Sequence, residues 1–242
     1  MDNELLLISG EDIPFIEAQT VIRQPKLKEI GMISEESFFT GAKFLTFSKD
    51  ILDTKDRIGL EDKTDFDIFM SVMCSPEKLK QKNDVTLLLS LIFPTKMIKF
   101  ENNEIILVDD AGMVRINNMN YEAFKDILDS MFCLNETLNG DNTYNPAGKR
   151  AERIAQKFEA ARKKRNKGKD DVKVAIYSRY MSILAVGESK DINELKNYTV
   201  YQINDEFKRF QKKEAYDINI KARMAGATDL EDVDNWMEDI HP

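Results

Sequence analysis

Between Met97 and Ile116 the apolar pattern of this chain changes period, and that change fixes its fold class. The stretch "MIKFENNEIILVDDAGMVRI" consists of short β-favouring runs broken at Asn102-Asn103 and at Asp110-Ala111-Gly112. Such punctuation reads as an antiparallel meander. Nearly everywhere else the apolar residues recur at helical spacing. The expectation is an α+β protein, mostly α. An N-terminal helical region holds the small antiparallel meander, and an all-helical C-terminal region follows.

Caps and stripes place the helices. Ser34 is a cap with Glu35 and Glu36 in the first turn, and Phe38, Phe39, Ala42 and Leu45 form the buried face behind it. Thr64 caps the next helix, which buries Phe66, Phe69, Met70 and Met73. Ser75-Pro76 opens a helical region reaching Phe93 before Pro94, either continuous or broken near Asn83. Tyr121, Phe124, Ile127, Leu128 and Met131 line the inner side of the helix after the meander. Pro25 suits the first position of a short helix ended by Gly31, and the opening "ELLLISG" reads as a strand.

"NETLNGDNTYNPAG" is rich in turn formers and has no period. It divides the chain into an N-terminal α+β domain, 1–134, a linker, 135–147, and a helical C-terminal region, 148–242. In that region Thr199 and Gln202 have capping-box spacing, ahead of a stripe of Val200, Ile203, Phe207 and Phe210. Gly226 is the expected left-handed residue past the end of this long helix. Thr228 and Glu231 then repeat the capping-box spacing before Leu230, Val233, Trp236, Met237 and Ile240, which share one side of a short acidic segment. A helix that short is marginal alone. Either it packs on its own domain or it meets a partner.

Charge is segregated along the 242 residues. The formal net charge is -8, yet Gly148 to Lys169 holds ten Lys and Arg against Glu152 and Glu159, a local +8, so the remainder carries -16. From Gly226 to Pro242 there are six acids and no Lys or Arg. Separation of sign is a property of binding surfaces more than of folds. The basic run, with Lys149, Arg150, Arg153, Lys157, Arg162, Lys163, Lys164 and Arg165, fits three roles: a solvated helix with a narrow stripe of Ile154, Phe158 and Ala161, a docking surface for an acidic protein, or a follower of a phosphate backbone. Only Phe158 interrupts it with an aromatic ring, whereas single-strand binders interleave several. Trp236 serves equally well as a core anchor or an interface anchor.

No catalytic constellation is legible. The one His is His241, beside the terminal Pro, which supports neither a buried triad nor a His-based metal site. Cys74 and Cys133 match no zinc-ligand spacing and read as packing residues. "GDNTYNPAGK" has the wrong spacing for a phosphate loop, and "DDAG" lacks the remaining ligands of a calcium loop. Asp65 and Asp67 diverge on a helix and read as solvated surface. No cofactor is implied. The longest apolar run, Val85 to Phe93, is too short to span a membrane. The opening residues show no secretory leader, so synthesis and residence in the cytoplasm are expected.

The opening "LLLISGEDIPF…AQTVIRQPKLKEIGMISEESFF" and the ending "TVYQINDEFKRFQKKEAYDINIKARMAGA…DNWMEDI" together resemble the tail assembly chaperones of long-tailed bacteriophages that infect Gram-positive hosts. The resemblance covers roughly the first fifty and last hundred residues. It implies a non-enzymatic protein of the host cytoplasm that coats the tape-measure protein and recruits tail tube subunits, with no cofactor and no catalytic residue. Leu230, Val233, Trp236 and Met237 are then the expected contact residues, the basic run an electrostatic docking surface, and self-association a further expectation. Two rival expectations are a structural virion component of the tail or neck, and a nucleic-acid-associated protein using residues 148–169.

Overall fold

The computed structural model describes residues 3–49, 60, 62–109, 112–134, 175–228 and 236–237. Its helices are α1 (Glu4–Ser9), α2 (Leu27–Ile33), α3 (Glu35–Leu45), α4 (Asp65–Met73), α5 (Leu79–Ile92), α6 (Tyr121–Phe132), α7 (Ile176–Gly187), α8 (Ile192–Leu195) and α9 (Val200–Met224). The strands are β1 (Ile13–Phe15), β2 (Thr20–Ile22), β3 (Met97–Glu101), β4 (Glu104–Val108) and β5 (Met113–Ile116). The protein is α+β and mostly α, as its periodicity requires.

The meander forms with strand order β3-β4-β5, antiparallel throughout. Asn102 and Asn103 both take positive φ, 53° and 56°, which is how a two-residue turn matches the twist of its flanking strands. Alternation then sorts the faces: the register row Phe100–Ile105–Ile116 turns toward the core, while Lys99–Ile106–Arg115 lies on the other face. Asn103 Nδ2 donates to Asp67 Oδ1 at 2.9 Å, tying the hairpin tip to the start of α4.

Local caps account for the helix starts. Ser34 Oγ accepts the N–H of Ser37 at 3.2 Å although Ser34 sits at φ 76°, a region that disfavours L side chains. Thr64 and Asp67 close a reciprocal capping box on α4. The four residues expected on the buried face of that helix are all buried. No break occurs near Asn83: α5 runs unbroken from Leu79 to Ile92. Close packing of α3 on α5 requires Gly41, where a Cβ would stand 2.7 Å from the Asp84 carbonyl oxygen.

Several expectations are corrected. "ELLLISG" is the helix α1 and not a strand, with Leu7 buried and Gly10 ending it at φ 75°. Pro25 precedes α2; Lys26 is its cap, its N–H donating to Glu29 Oε2 at 2.8 Å, and Gly31 lies inside the helix. A β1–β2 hairpin, unread in the sequence, pairs Ile13 with Ile22 and Phe15 with Thr20. Asp65 is not solvated surface: its carboxylate holds the Lys125 ammonium at 3.1 Å, with both side chains only 11% exposed. Cys74 is exposed at the end of α4, while Cys133 is buried.

One core runs through these elements. Phe15, Phe38, Phe66, Phe69, Tyr121, Phe124 and Phe132 meet side chains of the C-terminal helices, Tyr177, Leu184, Leu195, Val200 and Ile203, in a continuous cluster. The expected linker, 135–147, lies outside the described residues.

Candidate interaction surface

The C-terminal helices are tied to the N-terminal elements by backbone bonds as well as packing. Leu27 N–H donates to Tyr198 O and Lys28 N–H to Lys196 O, both at 2.9 Å, and Lys26 bridges Thr199. At the start of α7, the Glu35 carboxylate accepts the N–H of Tyr177 and of Ser178, each at 3.2 Å. Glu35 thus caps one helix from the first turn of another, and a carboxylate suits the positive end of both. Behind it Tyr177 stacks on Phe39 at 5.3 Å and meets Phe38 edge-on at 6.0 Å. Burial pushes the Tyr177 phenol well above its ordinary pKa, so it stays neutral.

The base of α9 is anchored on three sides. Thr199 N–H donates to Gln202 Oε1 at 2.9 Å, and Gln202 N–H returns to Thr199 Oγ1 at 3.3 Å. The same Gln202 amide donates to Ile8 O at 2.9 Å, pinning α1 against the helix. Tyr180 of α7 stacks on Phe207 with ring centroids 3.9 Å apart. Phe210 lies over Gly187 so closely that a Cβ there would come within 2.5 Å of the ring. Lys190 pairs with Glu206 and with Glu188, and its ammonium stands over the Tyr198 ring at 5.6 Å. Asp205 holds Arg209 at 3.1 Å one turn along. The stripe of Val200, Ile203, Phe207 and Phe210 is therefore what docks this helix, as its spacing requires.

Beyond Phe210 the helix leaves the core. Fourteen further residues, Gln211 to Met224, extend it by about 21 Å. Its C-terminus closes in a Schellman turn: Ala227 N–H donates to Ala222 O and Gly226 N–H to Arg223 O, both at 3.0 Å, with Gly226 at φ 92°. This distal half carries Lys212, Lys213, Lys221 and Arg223 against Glu214 and Asp217. It also carries a second apolar stripe that the sequence reading missed. Tyr216, Ile220 and Met224 recur every fourth residue, on a side turned away from the Val200–Phe207 stripe. Met224 is 83% exposed. Spacing alone was the available signal, masked by the charges around it.

The residues expected from sequence to make contacts fall mostly elsewhere. Trp236 is half-buried and Met237 is exposed. Leu230 and Val233 lie outside the described residues, as does the whole basic run with Lys149, Arg150, Arg153, Lys157, Arg162, Lys163, Lys164 and Arg165. Among the described residues no three His, Cys, Asp or Glu side chains are grouped to hold a metal ion. Also among them, no helix is long and apolar enough to cross a membrane.

Residues 170–241 match the family model of the YomV second domain. The matched span contains α7, α8 and α9 complete, including the anchored base and the distal half of α9. The match suggests a phage protein. No curated protein and no solved structure matches the chain.

Proposed function

We propose that this protein is a phage tail assembly chaperone, a non-enzymatic virion-assembly factor that binds the tape-measure and tail tube proteins. The observation that carries this reading is α9, a long helix clamped at its base and with Ile218, Ile220 and Met224 exposed on its distal half, inside the span that matches a phage-associated domain. A tape-measure protein exposes long apolar helical stripes before the tube encloses it, and amphipathic helices recognise one another by laying apolar faces together within a charged rim. The acidic terminal segment, with Leu230, Val233, Trp236 and Met237, supplies such a face. The basic run supplies an oppositely charged docking surface.

Truncation after Gly226 tests this reading. The shortened chain keeps every described core residue, so it is expected to fold, and it is expected to lose co-purification with the tape-measure protein. Undiminished co-purification would remove the terminal segment from the interface. The +8 of residues 148–169 also favours a nucleic-acid reading. That reading requires DNA or RNA affinity falling steeply with salt, and no binding at low salt would end it.

A further inference from the structure

We infer that the distal half of α9 receives an acidic amphipathic helix of a partner protein. That helix lays its apolar ridge on Tyr216, Ile220 and Met224 and its carboxylates on the lysines and arginines around them. The inference deepens the assembly reading and rests on it for the existence of a partner; what it adds is the chemistry by which the partner is held.

Three observations select this occupant. The first is the face itself. At the helical repeat, Lys208, Arg209, Lys212, Lys213 and Arg223 fall on the same half of the helix as Tyr216, Ile220 and Met224. Ile220 is 38% exposed and Met224 83%, so apolar surface lies open between cations. The second is charge. From Lys208 to Met224 the helix carries six Lys and Arg against two acids, Glu214 and Asp217, a local +4 in a chain of -8. Asp217 stands at the edge of the basic half, and Glu214 lies beyond it. At the base of the same face Asp205 already holds Arg209 at 3.1 Å, a contact that a partner's carboxylates repeat further along. The third is shape. Tyr216, Ile220 and Met224 recur every fourth residue and make a strip one residue wide. An amphipathic helix matches such a strip with a ridge of its own. A phosphate backbone would bury Ile220 and Met224 against charge, and a membrane surface takes a broader apolar face. A second α9 would set one basic face against another.

The probe is a labelled acidic peptide of about 18 residues, built from Leu, Ala and Glu so that its helix spans the face. It is titrated with the full chain and read by fluorescence anisotropy. Binding is expected at low salt and should weaken as salt rises. Lys212→Glu combined with Lys213→Glu and Arg223→Glu should weaken it by about tenfold or more, with far-UV circular dichroism retained. The milder Lys213→Gln combined with Arg223→Gln should give a smaller loss in the same direction. Ile220→Ser combined with Met224→Ser should weaken binding by about threefold or more. Lys43→Glu combined with Lys78→Glu and Lys99→Glu makes the same charge change at exposed sites elsewhere, and should leave binding nearly unchanged. No binding by the unmodified chain, or equal loss in that control, would overturn the inference. So would equal binding of a scrambled peptide with the same Glu content, or tighter binding of a DNA duplex or of phosphatidylglycerol vesicles. Peptide binding without any tape-measure complex would count against the assembly reading alone. A tape-measure complex that survives the α9 charge reversal would count against this inference alone.

Discussion

Gln202 and Ile8 are joined by one hydrogen bond, the side-chain amide to the main-chain oxygen at 2.9 Å, across 194 positions of sequence. Because the same side chain closes the capping box with Thr199, a local start signal for α9 is also its tether to α1. Gln202→Glu keeps the cap acceptor but sets an oxygen against the Ile8 carbonyl. Hydrogen exchange is expected to speed up across residues 4–10 in this variant, with α9 still protected. Gln202→Ala should lose both contacts and about 1–2 kcal/mol in denaturant unfolding.

Gly41 decides how closely α3 approaches α5. Its Cβ would meet the Asp84 carbonyl oxygen at 2.7 Å and Leu88 Cβ at 3.1 Å, and backbone cannot swing aside as a side-chain tip can. Gly41→Ala is expected to destabilise by about 1–3 kcal/mol through overpacking, despite its better helix propensity. Gly31→Ala, in α2 with open space around it, is the control and should be neutral or stabilising. Thermal unfolding of the pair separates packing from propensity.

Lys125 is held by Asp65 at 3.1 Å and by Glu122 at 2.8 Å. Burial works to lower its pKa, but the hydrogen bonds and charges of Glu122 and Asp65 outweigh it and leave the ammonium raised. Lys125→Met strands the nearly buried Asp65 carboxylate and should cost about 3 kcal/mol. Adding Asp65→Asn should recover part of the loss. A double-mutant cycle by urea unfolding measures the coupling.

Acid stability should depend on Asp67. Hydrogen bonds from Thr64, then from Asn103, hold its carboxyl below the ordinary aspartate range. A depressed folded-state pKa gives stability that is present above the unfolded value and is lost as pH falls through the folded one. Asp129 works in the opposite sense, since burial raises it against the pull of Lys125. Its contribution is present below the unfolded value and fades as pH rises through the folded one. Asp67→Asn should therefore flatten the fall in stability below about pH 4, whereas Asp129→Asn should raise stability at neutral pH. Unfolding midpoints measured from pH 2.5 to 7 test both.

What was legible in the sequence was local. Ser34, Thr64 and Thr199 announce helix starts because each cap is satisfied within three residues. The Asn102-Asn103 turn announces its hairpin because few residues take positive φ twice in succession. What failed was decided at a distance. Leu5, Leu6, Leu7 and Ile8 carry no period that separates strand from helix, and α1 is settled by Gly10 at its end and by Gln202 and Gln24 donating to Ile8 and Leu6. Asp65 read as surface because Lys125 lies sixty positions away. At the candidate surface, the docking stripe through Phe210 was readable because apolar residues dominate it. The stripe of Tyr216, Ile220 and Met224 was not, because charged neighbours separate its members.

The most direct measurement is co-expression of the full chain with a candidate phage tape-measure protein, followed by size-exclusion chromatography. A stoichiometric complex is expected, resolved from free tail tube protein and dissolved by Leu230→Ala combined with Trp236→Ala. Separate elution of the two proteins, or recovery of this chain as a fixed component of purified virions, would contradict the account.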